Sequence, residues 1–132
     1  MKKILIIEDD QSLYNVYAAE LKLRGYDVAH EADGMRAVAT IEDYKPDLIL
    51  LDIILPGRNG LEILEEIQGQ KDLEGIKVLM VTNYGSDSNV KKALELGAFD
   101  YVLKYNVVPS DLSEKVAQAL GEDSDSTVKL TN

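Results

Sequence analysis

Residues 47–60 read DLILLDIILPGRNG: an aliphatic run over Asp47–Leu51 stops on Asp52 and is followed by a turn signal at Pro56-Gly57. Continuous aliphatics of that length, closed by turn residues, suit a strand buried on both faces, as in a parallel sheet. Outward from this stretch, Ile4–Ile7, Lys77–Val81 and Phe99–Leu103 are built the same way. Tyr26–His30 instead alternates apolar with polar residues and reads as an edge strand. Helix-period segments fill the gaps. Leu13, Val16, Tyr17 and Leu21 form one stripe, ending at Gly25. Ala37, Val38 and Ile41 form a second, stopped at Lys45-Pro46 because the residue before proline disfavours helix. Leu61, Leu64 and Ile67 follow Gly60, and Val90, Ala93 and Leu94 run up to Gly97. Leu112, Val116 and Leu120 make the fifth, with Asp111 and Glu114 spaced like a capping pair and Gly121 after it. Five alternations of strand and helix predict an α/β fold, an open parallel sheet with right-handed crossovers.

The chain has 132 residues, room for a single domain. Apolar residues make up 45%, enough for a core over most of its length. Residues 122–132 (EDSDSTVKLTN) lack periodicity and read as a flexible polar tail after a domain spanning 1–121. Acidic residues outnumber basic ones by 24 to 14, a net charge of −10 that repels phosphate backbones and argues against direct nucleic-acid binding. With no Cys there are no disulfides, thiolate metal sites or cysteine nucleophiles, which fits a reducing cytoplasm. No apolar run reaches the ~20 residues that span a bilayer, and ILII after MKK is too short for a signal peptide.

In an open α/β sheet ligands bind beyond the carboxyl ends of the strands. Those ends carry Glu8-Asp9-Asp10, His30-Glu31, Asp52, Thr82-Asn83 and Lys104. Each has an ordinary reading alone: carboxylates cap helices, Asp52 starts a turn, Thr82 favours a strand, and Lys104 is a solvated strand end. Together they place carboxylates at two strand ends that would be neighbours, where mutual repulsion raises pKa values unless a cation is shared. An oxygen-only cluster with no Cys suits Mg²⁺ better than zinc.

At this point the chain resembles the receiver domains of two-component response regulators. The resemblance runs from Lys2 to Leu120, on IEDD at Ile7–Asp10, DLILLDIILPGRNG at Asp47–Gly60, VLMVTN at Val78–Asn83 and GAFDYVLKY at Gly97–Tyr105. It implies a flavodoxin-like (βα)5 doubly wound sheet of strand order 2-1-3-4-5. Asp52 would be the phosphoacceptor, taking its phosphoryl group from a sensor histidine kinase or a histidine phosphotransfer protein. Mg²⁺ would sit on Asp9, Asp52 and the Ile54 carbonyl, with Glu8 acting through water. Lys104 would pair with the phosphoryl oxygens and Thr82 would hydrogen-bond them. Thr82 and Tyr101 would form the switch, and the face of the fourth helix, fifth strand and fifth helix would meet a downstream effector. Such a domain is a signalling module that catalyses its own phosphorylation and dephosphorylation rather than a turnover enzyme. Asp10 is left as a helix cap and His30 as a surface residue.

Three positions depart from the family pattern. Tyr105 stands where Pro usually follows the Lys, so the Lys104–Tyr105 peptide bond is expected to be trans. Asn83 replaces a small residue, and Glu8 replaces the commoner Asp. Ile54, Asn83 and Tyr84 would flank the path of water to the phosphoryl group. The alternatives are a Mg²⁺-dependent phosphohydrolase with an aspartyl-phosphate intermediate, a flavodoxin-like nucleotide or flavin binder, and a degenerate receiver used only for docking. The first lacks a general acid, since Ile54 stands two residues after Asp52. The second would put phosphate against Glu8-Asp9-Asp10.

Overall fold

A computed structural model describes residues 1–83, 88–104 and 108–122. Five parallel strands, β1 (Lys3–Ile7), β2 (Asp27–Glu31), β3 (Leu48–Asp52), β4 (Lys77–Thr82) and β5 (Asp100–Leu103), form one sheet in the order β2-β1-β3-β4-β5. Helices α1 (Gln11–Leu23), α2 (Ala37–Tyr44), α3 (Gly60–Gln68), α4 (Ser88–Glu95) and α5 (Pro109–Ala119) connect and cover it, with a single 3-10 turn at Gly34–Arg36 before α2. This is the expected doubly wound α/β fold.

Because successive side chains on a strand point to opposite faces, the aliphatic runs feed two cores. Leu5, Ile7, Ile49, Leu51, Val78 and Met80 pack with Ile41 of α2, Ile63, Leu64 and Ile67 of α3, and Ala93 of α4. Ile4, Ile6, Leu48, Leu50, Leu79 and Val81 pack with Tyr17, Ala18 and Leu21 of α1 and Leu112 and Val116 of α5. β3 is buried at all five positions, as a central strand covered on both sides must be. β2 lies at the edge and is mostly half-buried, in keeping with its alternating pattern.

Four local expectations need correction. Val16 is 49% exposed and its expected core place on α1 is taken by Ala18, because the buried face is set by Tyr17, Ala18 and Leu21. Leu94 likewise turns outward at 44% exposure, and Val90 and Ala93 carry the α4 contact. Asp111 and Glu114 do not form a capping pair. The helix begins earlier, with Val108 as an N-cap that makes no side-chain hydrogen bond and Pro109 entering the first turn, where its missing N–H costs nothing. Asp111 remains in that first turn, favourably placed for the helix dipole. Phe99 precedes β5 rather than opening it, although its N–H donates to the Val78 carbonyl at 2.8 Å. The stop signals behave as read: Gly25 follows α1 at φ 94°, and α2 ends at Tyr44, just before Lys45-Pro46.

Candidate functional site

The loop from β1 to α1 carries three acidic residues with three different environments. Asp10 caps α1, its Oδ1 accepting the Leu13 N–H at 3.1 Å, as expected. Asp9 is exposed. Glu8 is 1% exposed, and its Oε2 accepts the Asp10 N–H at 3.0 Å. The Glu8 backbone is fixed on its other side, donating its N–H to the Glu31 carbonyl at 3.0 Å and so extending the β1–β2 ladder by one residue.

Asp52 ends β3 and is 2% exposed. Its Oδ1 accepts the Ile54 N–H at 3.2 Å. Gly60 opens α3 directly behind it: a Cβ there would overlap the Asp52 carbonyl oxygen, so only glycine lets the helix start so close to the end of β3. Asn59 and Glu62 form a capping box at this start.

Lys104 enters from just beyond β5. Its backbone N–H donates to the Thr82 carbonyl at 2.8 Å, and its Nζ lies 2.7 Å from Asp52 Oδ2 and 3.3 Å from Glu8 Oε2. The Asp52 contact is an ion pair, and Glu8 Oε1 has no hydrogen-bond partner among the described residues. One carboxylate oxygen from each of Glu8, Asp9 and Asp52 lies within 4.8 Å of the other two.

The electrostatics follow from this crowding. Burial, reinforced by Asp52, pushes the Glu8 carboxyl up to about 7, although the Asp10 N–H and Lys104 oppose the rise. Burial also raises Asp52, against the opposing pull of Lys104 and the Ile54 N–H. Burial disfavours the Lys104 ammonium, but the facing Asp52 and Glu8 outweigh it and keep the amine charged well past its ordinary range. Two buried carboxylates thus share one cation, which leaves an excess of negative charge. An orphaned Glu8 oxygen amid three carboxylates is the donor chemistry of a hard divalent cation that keeps part of its water shell.

Thr82 ends β4 at 5% exposure, beside the Asp52 strand end, and Asn83 after it is exposed. Ile54 is 68% exposed. Tyr84 and Tyr105, the Lys104–Tyr105 bond, and the tail from residue 123 onward lie outside the described residues. Tyr101 is half-buried in β5. Lys115 of α5 stands 5.6 Å from its ring centroid and donates to its carbonyl at 3.1 Å, while pairing with Asp100 at 2.7 Å.

The roles of three residues around the site, His30, Tyr17 and Lys115, are not legible in the sequence. His30 is no free surface residue: its ring stacks on Tyr14 with centroids 3.9 Å apart, and its Nε2 donates to the Glu8 carbonyl at 2.7 Å. Because a carbonyl only accepts, Nε2 carries the proton. Tyr17 donates its hydroxyl to the Lys104 carbonyl at 3.1 Å. Lys115 holds the Tyr101 strand. A tyrosine inside an otherwise aliphatic stripe was the available signal for Tyr17, since a buried hydroxyl needs a partner.

The response regulator receiver domain family matches residues 4–117, and the chain belongs to that family. The DNA-binding response regulator MtrA of Mycolicibacterium smegmatis is 32% identical over 129 residues, 98% of this chain and 55% of that protein. The chain therefore spans about half the length of the curated relatives it matches. Among solved structures, the BeF3-activated N-terminal receiver domain of RstA from Klebsiella pneumoniae is 37% identical with a TM-score of 0.82, covering 89% of this chain and 97% of that one. The receiver domain of the sensor histidine kinase PA1611 from Pseudomonas aeruginosa, which has a magnesium ion in its active-site cleft, is 27% identical with a TM-score of 0.82, covering 92% and 98%.

Proposed function

We propose that Asp52 accepts a phosphoryl group in a Mg²⁺-dependent reaction and that the resulting charge switches the domain between two packings. The observation that supports it is the pairing of a buried Asp52 with Lys104 and with the partly unsatisfied Glu8. An Asp52 carboxylate oxygen attacks phosphorus in line. The bond from phosphorus to the donor breaks with its electron pair, leaving an acyl phosphate on Asp52. Lys104, already held beside Asp52, stays close enough to pair with the new phosphoryl oxygens without long reorganisation. Asp9, Asp52 and the Ile54 carbonyl would hold Mg²⁺ directly, with Glu8 acting through water. When bound, the ion supplies the positive charge that the converging carboxylates need before more negative charge arrives.

The donor is the phosphohistidine of a sensor histidine kinase or of a histidine phosphotransfer protein. Thr82 would turn its hydroxyl toward the phosphoryl group, and Tyr101 would repack in response, changing the face of α4, β5 and α5 that meets an effector. No helix among the described residues is long and apolar enough to cross a membrane, in keeping with a cytoplasmic module. Relatives about twice as long are DNA-binding response regulators, so in a longer chain the output would be supplied outside the receiver. Intact-mass measurement after treatment with Mg²⁺ and acetyl phosphate tests the acceptor. Stoichiometric label on the wild type and none on Asp52→Asn is expected. Equal labelling of both would remove Asp52 from the role, and many turnovers without lasting label would point to a phosphohydrolase instead.

A further inference from the structure

We propose that Tyr17 is a positioning residue for Lys104, setting the reach of its ammonium to Asp52 from the far side of the sheet end. The inference rests on the reading of Asp52 and Lys104 above and names a residue that acts through them. Tyr17 is 2% exposed in the core between α1, α5 and the sheet, so its hydroxyl meets little solvent. That hydroxyl donates to the backbone carbonyl of Lys104, 87 residues away.

Lys104 is thus pinned at both ends of its backbone. The Thr82 carbonyl takes its N–H at 2.8 Å, and the Tyr17 hydroxyl meets its carbonyl at 3.1 Å. β5 ends at Leu103, so this carbonyl stands one residue past the strand. The next residue is Tyr105, which lacks the ring that would lock its own φ. A hydrogen bond from α1 supplies the missing restraint. Its effect falls on the side chain, because the Lys104 ammonium must satisfy Asp52 at 2.7 Å and Glu8 at 3.3 Å from one backbone position. A Phe at position 17 would keep the ring in its apolar cluster and release the Lys104 carbonyl. The ammonium would then sample positions away from Asp52.

The test is a double-mutant cycle read on the rate of covalent phosphorylation by acetyl phosphate with saturating Mg²⁺, in wild type, Tyr17→Phe, Lys104→Ala and the double variant. Loss of one buried hydrogen bond predicts a slowing of about fivefold in Tyr17→Phe. No further slowing is expected when Tyr17→Phe is added to Lys104→Ala. A shift of the Lys104 carbonyl ¹³C resonance in Tyr17→Phe reads the same restraint without activity. An equal slowing in both backgrounds would make Tyr17 merely structural and overturn the proposal, as would an unchanged rate in the single variant. A wild type that takes no phosphate on Asp52 would overturn the phosphoacceptor reading and this inference with it.

Discussion

The Lys104 ammonium lies 2.7 Å from Asp52 Oδ2, although Asp52 ends β3 and Lys104 follows β5, with β4 between the two strands. The pair is buried, with the Lys104 side chain 10% exposed and that of Asp52 3% exposed, so it is only weakly screened by solvent. Lys104→Ala would leave Asp52 and Glu8 facing each other without a counter-charge. Removing one partner of a buried pair typically costs about 3–5 kcal/mol. Urea unfolding of the metal-free protein at pH 8 should show a loss near the lower end of that range. At pH 5, where the Glu8 carboxyl, raised to about 7, is protonated, the loss should be clearly smaller. An equal loss at both pH values would mean that packing of the lysine stem, and not charge, dominates.

Glu8 gives a pH dependence of definite sign. Its carboxyl is raised to about 7 in the folded protein from an ordinary value of 4.5, chiefly by burial. Between those values the folded state binds more protons than the unfolded one, so the stability contributed by Glu8 is complete below about 4.5 and is lost as the pH rises through 7. In the metal-free protein, Glu8→Gln should therefore match wild type near pH 4.5 and melt at a higher temperature above pH 7. Mg²⁺ should narrow the gap at high pH by stabilising the wild type. A constant Tm difference across this range would contradict the assignment.

Lys115 bears on the switch. Its ammonium stands 5.6 Å from the Tyr101 ring centroid and also binds the Tyr101 carbonyl. A cation–π contact at a partly exposed site contributes about 0.5–1 kcal/mol, which corresponds to roughly a two- to fivefold population change. Lys115→Met should weaken the present Tyr101 rotamer by that factor, visible in ring ¹³C shifts of labelled tyrosine with and without beryllofluoride. Shifts identical to wild type in both conditions would show that Lys115 does not bias Tyr101.

The phosphoryl lifetime should be long for a receiver. Ile54 is 68% exposed two residues after Asp52 and offers no side-chain hydrogen bond to an attacking water, and the receiver resemblance implies that Tyr84 flanks the same approach. Ile54→Asn with Tyr84→Glu should speed loss of phosphate by roughly tenfold, if each restored water contact is worth under about 1 kcal/mol. Decay of the acyl phosphate after removal of donor measures it. A wild type that decays as fast as the double variant would refute the role of both positions.

Local pattern alone determined the class of fold and the order of its parts. The aliphatic run Asp47–Leu51 and its counterparts Ile4–Ile7 and Lys77–Val81 fit burial on both faces, and the alternating Tyr26–His30 fits an edge, whereas Phe99–Leu103, read like the first three, forms the other edge and is mostly half-buried. The same logic carried the chemistry as far as strand ends, because a parallel sheet delivers those ends to one rim whatever the loops between them do. Tertiary structure decided what periodicity cannot encode, the register of one element against another. Ala18 rather than Val16 faces the core because α1 rolls on the sheet until Tyr17 is covered. Val108 and Pro109 start α5 where an acidic spacing suggested a later beginning. His30 reaches the Glu8 carbonyl, and Tyr17 the Lys104 carbonyl, only because backbone acceptors look alike in sequence and differ in which side chain the fold brings within 3.1 Å.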